Sequence, residues 1–396
     1  MSLDATSTLP VRLAPRDTLS LRLGVLALGG LGGSGRVAWD IAHGLTACGH
    51  RVTRLTSVAP HWKTGPQTVA TRSTPNVPRE PRTARADWVE ALAADVLDWV
   101  VTSELEALSV HYGVGLVEAT VAARDRLPPS RSLRVYATLH GTDVELGRED
   151  AEQRTRLAAS LERCDGVTAV SHWLADEAVA VLGLRTRPQV IRNAVDTALF
   201  RPRDRELRPP FTLVHASNFR PVKRPLDCID VIVRVLHSGV PARLVMIGDG
   251  PLRASALEYA HALGVGEQVE FRPPVDRATL ARQLREAHVC LVTSESESFG
   301  LVALEAMASG VPFVGTRCGG LRELLTTVSG EDLSEVLLAD CGDIEGLTTR
   351  IRALLGDAAR FDEIRSTCLR AAHAFDRGVQ LAAYAELFAG GSRAPG

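Results

Sequence analysis

The chain has 396 residues, with 45 basic against 47 acidic side chains, a formal charge of -2 and seven cysteines. That length predicts two separately cored domains, and the near-neutral charge excludes global attraction to nucleic acid or an anionic membrane, so any phosphate must be held locally. Cysteines without CxxC pairs read as free thiols rather than a disulfide frame or a structural zinc, and the absence of any run of ~20 apolar residues predicts a cytoplasmic, non-membrane protein.

Residues 1–20 carry Asp4, Pro10, Pro15 and Asp17 and read as a loose lead. Leu21 to Leu28 is an apolar run that stops at a glycine cluster. From Arg36 to Cys48 apolar residues then recur at helical spacing, which gives strand, glycine loop and helix. Val52 to Val58 reads as the next strand, and Pro60 to Arg85 is proline-rich without periodicity. Helices around Trp88 to Trp99, after Gly115 and over Ala151 to Arg163 alternate with strands at Ala107 to Val110, Leu133 to Leu139 and Gly166 to Val170. Alternation of this kind builds a parallel sheet covered on both faces.

Prolines and charges between Asn193 and Pro210 predict an interdomain linker. A second alternating series follows, with strands at Phe211 to Ala216, Ala242 to Ile247, Gln268 to Phe271, His288 to Thr293 and Val311 to Gly315. The predicted division is 21–200, 201–375 and a C-terminal helix in 376–396 packing back on the first unit. Ligands of such sheets sit beyond the carboxyl ends of the strands, so two sheets facing each other enclose one cleft.

Four constellations fall at those strand ends. The run Gly29-Gly30-Leu31-Gly32-Gly33-Ser34-Gly35 precedes a helix, whose N-terminus favours an anion. Its GxGxxG spacing lacks the acidic partner expected about 20 residues on, which argues against a dehydrogenase. Ser217-Asn218-Phe219-Arg220-Pro221-Val222-Lys223-Arg224 brings three cations to a strand end, where they can neutralise a diphosphate. Only Lys63 and Lys223 are lysines among the 45 basic residues, which singles out Lys223 as a compact point charge. Glu297 and Glu305 flank Phe299-Gly300-Leu301, where carboxylates accept from sugar and ribose hydroxyls beside free backbone N–H groups. His140 in Thr138-Leu139-His140-Gly141-Thr142-Asp143 and Tyr112 in His111-Tyr112-Gly113 face the same cleft. The other histidines, among them His43, His61, His172, His237, His261, His288 and His373, read as structural. Neither HExxH nor DxD spacing is present, so no metal is expected.

These motifs in this order resemble the family 4 retaining glycosyltransferases of GT-B fold, from about Leu21 to Phe388. ESESFGLVALEAMASGVPFVGTRCGG is similar to the family's Glu-x7-Glu signature with its trailing glycines. GGSG, VHYG, TLHGTD, VTAVSHWL, HASNFRPVKRP and IGDGP resemble the branch that joins N-acetylglucosamine to L-malate in bacillithiol biosynthesis. The resemblance implies two Rossmann-like domains with parallel sheets facing a central cleft, and front-face transfer without a protein nucleophile or cofactor beyond the nucleotide-sugar co-substrate.

It implies Arg220, Lys223, His140 and Glu297 as catalytic residues. Gly32, Gly33, Asn218, Phe299, Gly300, Leu301 and Glu305 would bind a UDP- or GDP-linked donor, and Ser34, Tyr112 and Thr138 the acceptor. Partners are a small-molecule donor and acceptor, with a homodimer admitted. The usual family arginine is Asn218 here, and Arg272-Pro273-Pro274 stands where a glycine loop approaches the nucleobase. These departures keep open a natural-product enzyme joining a GDP-sugar to a thiol such as ergothioneine in lincosamide antibiotic assembly. A hydrolysing sugar-nucleotide 2-epimerase and a non-catalytic nucleotide-sugar sensor are the rivals.

Overall fold

The computed structural model describes residues 20–29, 33–57, 69–77, 85–204, 206–326 and 332–390. Gly32, His61, Lys63, the lead up to residue 19 and most of the Pro60 to Arg85 stretch lie outside them.

The first domain runs β1 (Arg22–Ala27), α1 (Gly33–Ala47), β2 (Arg51–Thr56), β3 (Ala70–Ser73), α2 (Ala86–Thr102), β4 (Ala107–His111), α3 (Leu116–Asp125), β5 (Arg134–Leu139), α4 (Thr142–Glu149), α5 (Ala151–Leu161), β6 (Gly166–Ala169), α6 (His172–Leu182) and β7 (Gln189–Val190). The second runs β8 (Phe211–Ser217), a 3-10 turn at Pro221–Lys223, α7 (Pro225–His237), β9 (Ala242–Gly248), α8 (Arg253–Ala262), β10 (Val269–Arg272), α9 (Arg277–Arg285), β11 (Val289–Val292), α10 (Leu301–Ala308), β12 (Phe313–Thr316), α11 (Leu321–Thr326), α12 (Ser334–Leu337), β13 (Leu338–Ala339), α13 (Ile344–Gly356) and α14 (Ala358–His373), before α15 (Arg377–Gly390).

Sheet order is β3-β2-β1-β4-β5-β6-β7 in the first domain and β10-β9-β8-β11-β12-β13 in the second. Every pairing is parallel. Buried runs such as Val-Cys-Leu-Val in β11 fit strands covered on both faces. The order of each sheet reverses beside its first strand, between β1 and β4 and between β8 and β11. A crevice opens at such a reversal, beyond the carboxyl ends of the strands. The loops after β1, β4, β8 and β11 are four of the segments with chemical signatures.

The stretch from Pro60 to Arg85 requires a correction, because β3 lies within it. All four of its residues are exposed at the sheet edge, so no burial alternation marks the strand in the sequence.

The final helix α15 returns to the first domain. Its Tyr384 and Phe388 are buried with Leu23, Val25, Ile41 and Leu45 of β1 and α1, and Arg134 Nη1 donates to the Phe388 carbonyl at 2.8 Å. A Cβ on Gly44 would come within 2.3 Å of Leu381 Cδ2, so a side chain there would push α15 off α1. The crossover is fastened where Val195 N donates to Phe375 O at 2.9 Å and Arg377 N to Val195 O at 3.1 Å.

Candidate active site between the two sheets

At the end of β8 the chain turns through Phe219 at φ 43°, a left-handed conformation rare for an aromatic residue. Three bonds hold it there. His215 Nδ1 donates to Leu291 O at 3.0 Å, leaving Nε2 to accept from Ser217 Oγ at 2.8 Å, and that oxygen accepts from Phe219 N at 3.2 Å. Burial holds His215 neutral, with its pKa lowered to about 4. The chain then enters the turn that carries Lys223. Thr293 Oγ1 bonds the carbonyls of Lys223 and Arg224 at 3.1 and 3.0 Å, and Glu295 N donates to Val222 O at 2.8 Å. The loop after β11 thus fixes the basic loop after β8.

Lys223 Nζ lies 2.7 Å from Glu297 Oε1, which also accepts from Ser294 Oγ at 2.9 Å. Both side chains are mostly covered. Arg220 is exposed, and among the described residues no side chain bonds its guanidinium. Its charge is felt across the cleft, where it opposes the rise that burial and Asp143 impose on the Tyr112 phenol. Asn218 is exposed, and its carbonyl is approached so closely by Gly250 that a Cβ there would sit 1.8 Å away.

Glycines shape the loop from Glu297 to Leu301. Gly320 N donates to Glu297 O at 2.7 Å, and a Cβ on Gly320 would lie 2.4 Å from Ser298 O. Gly300 caps α10 at φ 93°, and the first turn of α10 leaves N–H groups without helical partners. The start of α1 meets it: a Cβ on Gly33 would lie 3.6 Å from Leu301 Cδ1. Two helix N-termini from different domains therefore converge, and their dipoles favour an anion between them. Phe299 is buried against Phe375, while Ser34 is half-buried in the first turn of α1.

Across the cleft Tyr112 directly follows β4 at φ 95°. The residue is 2% exposed and, among the described residues, its hydroxyl has no partner, an orphaned group that a ligand could satisfy. His140 Nε2 bonds His111 Nδ1 at 3.2 Å, and His111 Nε2 bonds Ser109 Oγ at 3.1 Å. Burial pushes both imidazoles down, His140 to about 3, so His140 stands neutral in the cleft wall. Asp143, fully buried, ties the two loops together. It accepts from the backbone N–H of Gly113, His140, Gly141 and Val144 at 2.8 to 3.3 Å.

Thr138 is placed differently from the acceptor role implied for it. It is 1% exposed and shares its hydroxyl with Thr168 at 2.9 Å and Tyr384 at 3.3 Å. It packs β5 onto α15. Glu305 is 1% exposed, and Arg36 of the first domain holds its Oε1 at 2.5 Å.

Several residues of the site are given no role by the sequence. Ser171 Oγ bonds Ser298 O at 2.6 Å, and Ser298 nests so closely against Gly141 that a Cβ there would fall 1.7 Å from Ser298 Oγ. Glu323 caps α6 from the other domain, accepting from His172 N at 3.1 Å and Trp173 N at 2.6 Å. Arg36 and Arg277 lie outside every motif segment, and His215 and Asp143 lie inside HASNFRPVKRP and TLHGTD without a role of their own. The only signal was positional: Arg36 lies in the first turn after the glycine run, and His215 shares a strand face with Ser217.

The comparisons with known proteins agree with this geometry. The Glycosyltransferase Family 4 model matches residues 31–199, and the model for group 1 glycosyl transferases matches residues 210–357. N-acetyl-alpha-D-glucosaminyl L-malate synthase of Bacillus anthracis is 30% identical over 86% of this chain and 88% of that protein. D-inositol 3-phosphate glycosyltransferase 1 of Catenulispora acidiphila is 31% identical over 67% of each. Among solved structures, sucrose-phosphate synthase of Thermosynechococcus elongatus superposes with a TM-score of 0.77 at 20% identity, over 93% of this chain and all of that one. Anabaena HepE in complex with UDP and glucose gives 0.76 at 18% identity, over 92% and 99%. Two parallel sheets, a cleft at their switch points and family matches on both halves make this chain a family 4 glycosyltransferase of GT-B fold.

Proposed function

We propose that the protein transfers a glycosyl group, with retention of anomeric configuration, from a nucleoside-diphosphate sugar to a small acceptor, and that its first candidate reaction joins N-acetylglucosamine from UDP to L-malate. The observation that carries the reading is the convergence of the α1 and α10 N-termini at the loop where Lys223 meets Glu297. Such a site matches a diphosphate leaving group. The candidate substrates rest on 30% identity to the Bacillus anthracis malate enzyme across most of both chains.

In this reading Lys223, Arg220 and the N–H groups around Phe299 and Gly300 stabilise the charge that builds on the departing phosphate. Glu305 takes the ribose, and Glu297, positioned by Lys223, takes the sugar hydroxyls. The acceptor oxygen attacks on the face from which the nucleotide leaves, and its proton passes to the departing phosphate oxygen. His140 lies beside the sugar, and the orphaned Tyr112 hydroxyl and Ser34 face the acceptor. No residue forms a covalent bond to the sugar.

A second donor is favoured by one feature. Pro273 and Pro274, directly after β10, offer no backbone N–H to a base edge, which leaves a GDP-sugar as the alternative donor. Incubation with UDP-N-acetylglucosamine and L-malate, followed by mass and anomeric analysis, tests the first reading. An alpha-linked N-acetylglucosaminyl malate supports it. Release of UDP without a conjugate places the protein among the hydrolysing epimerases instead.

A further inference from the structure

Four charged side chains at the cleft form an open series of alternating sign, Arg36–Glu305–Arg277–Asp40. Arg36 and Asp40 lie one turn apart on α1. Facing them from the second domain are Glu305 on α10 and Arg277, the first residue of α9. Arg36 Nη2 is 2.5 Å from Glu305 Oε1, and Arg277 Nη1 is 2.6 Å from Asp40 Oδ2. Arg277 Nη2 lies 3.9 Å from Glu305 Oε1 and links the two pairs. The set is neutral as a whole, which suits its burial. Both short contacts run from one domain to the other, so opening the cleft breaks both.

One acceptor in this series is unused. Among the described residues Glu305 Oε2 is buried without a hydrogen-bond partner, and Glu305 lines a cavity together with Arg36, Asp40, Arg277, Leu301 and Gln380. A buried carboxylate oxygen without a donor is costly. The chemistry that satisfies it is a single O–H or N–H donor from a ligand.

We infer that Arg36 is a positioning residue for the donor nucleotide. It holds Glu305 across the cleft through Oε1, so that Oε2 accepts from one ribose hydroxyl, and nucleotide binding is thereby coupled to closure of the two domains. This rests on the nucleotide-sugar reading above. It has a sign that can be checked: Arg36 helps the nucleotide bind. An arginine that merely occupied the ligand's place would hinder it.

The test is calorimetric titration of the full chain with UDP, GDP and their 2′-deoxy and 3′-deoxy analogues, using the wild type, Arg36→Met and Arg36→Lys. The expected wild type binds one ribonucleotide and discriminates against the analogue lacking the hydroxyl that faces Oε2. Arg36→Met should bind about tenfold more weakly, equivalent to about 1.4 kcal/mol. It should lose most of that discrimination while kcat at saturating donor stays within about twofold, and Arg36→Lys should recover part of the affinity. Arg36→Met binding as tightly as the wild type, or more tightly, overturns the inference while leaving the nucleotide site in place. Equal wild-type affinity for the ribonucleotides and both deoxy analogues also overturns it, whether or not Arg36→Met folds. Failure of the folded wild type to bind either ribonucleotide removes the nucleotide reading and this inference together.

Discussion

The two walls of the cleft use their polar groups in opposite ways. In the first domain Asp143 is spent on four backbone N–H groups, His111 and His140 bond each other, and Thr138 bonds Thr168 and Tyr384. These groups stiffen the wall and place little charge in the opening. In the second domain Arg220 is exposed, and Lys223 and Glu297 stand together at the strand ends. The same parallel architecture thus supports a neutral, preorganised wall and a charged one. In the proposed reading a charged diphosphate lies against the second, and the reacting hydroxyl of an acceptor against the first.

The contrast breaks most sharply at Lys223. Lys223→Ala should lower kcat about 100-fold or more, because a fixed charge is lost where the leaving group departs, while the melting temperature changes little. Steady-state kinetics check it, and near wild-type turnover would move the leaving group away from this wall.

On the neutral wall the expected effect falls on stability instead. His215, although in the second domain, belongs to the same buried class, with its pKa lowered from 6.5 to about 4. A folded pKa below the unfolded one contributes stability that is fully present above pH 6.5 and is lost as the pH falls toward 4, by roughly 3 kcal/mol. His111 and His140 act in the same direction, and Asp143, raised by burial, acts in the opposite one. Thermal melts from pH 7 to 4.5 should show stability falling with acid, less steeply in His215→Asn. A wild-type profile no steeper than that of His215→Asn would contradict a neutral buried imidazole at His215.

Smaller effects separate packing from contact. Thr138→Val leaves the hydroxyls of Thr168 and Tyr384 short of a partner and should cost about 1 to 2 kcal/mol, with the acceptor KM unchanged. A raised acceptor KM at unchanged stability would return Thr138 to the acceptor. Glu323→Ala removes the interdomain cap on α6 and should cost about 1 kcal/mol, measured by denaturant unfolding.

The alternation of apolar runs and helical periods made both sheets legible in the chain, and the glycine, basic and Glu-x7-Glu segments marked the strand ends. The edge strand β3 was not legible, because exposure on both faces erases the burial pattern. The bonds between domains were hidden for a different reason. Arg36 and Glu305 are 269 positions apart, and Glu323 and Trp173 are 150 apart, so no local spacing connects them. Thr138 shows the converse, a motif residue whose hydroxyl bonds Tyr384 of α15, 246 positions away.

The most direct test of the charged wall is equilibrium titration of UDP and GDP into the wild type and Lys223→Ala. Saturable wild-type binding to one of them, weakened at least about tenfold in the variant, is the predicted result. Equal binding to both proteins would contradict a diphosphate held at the end of β8.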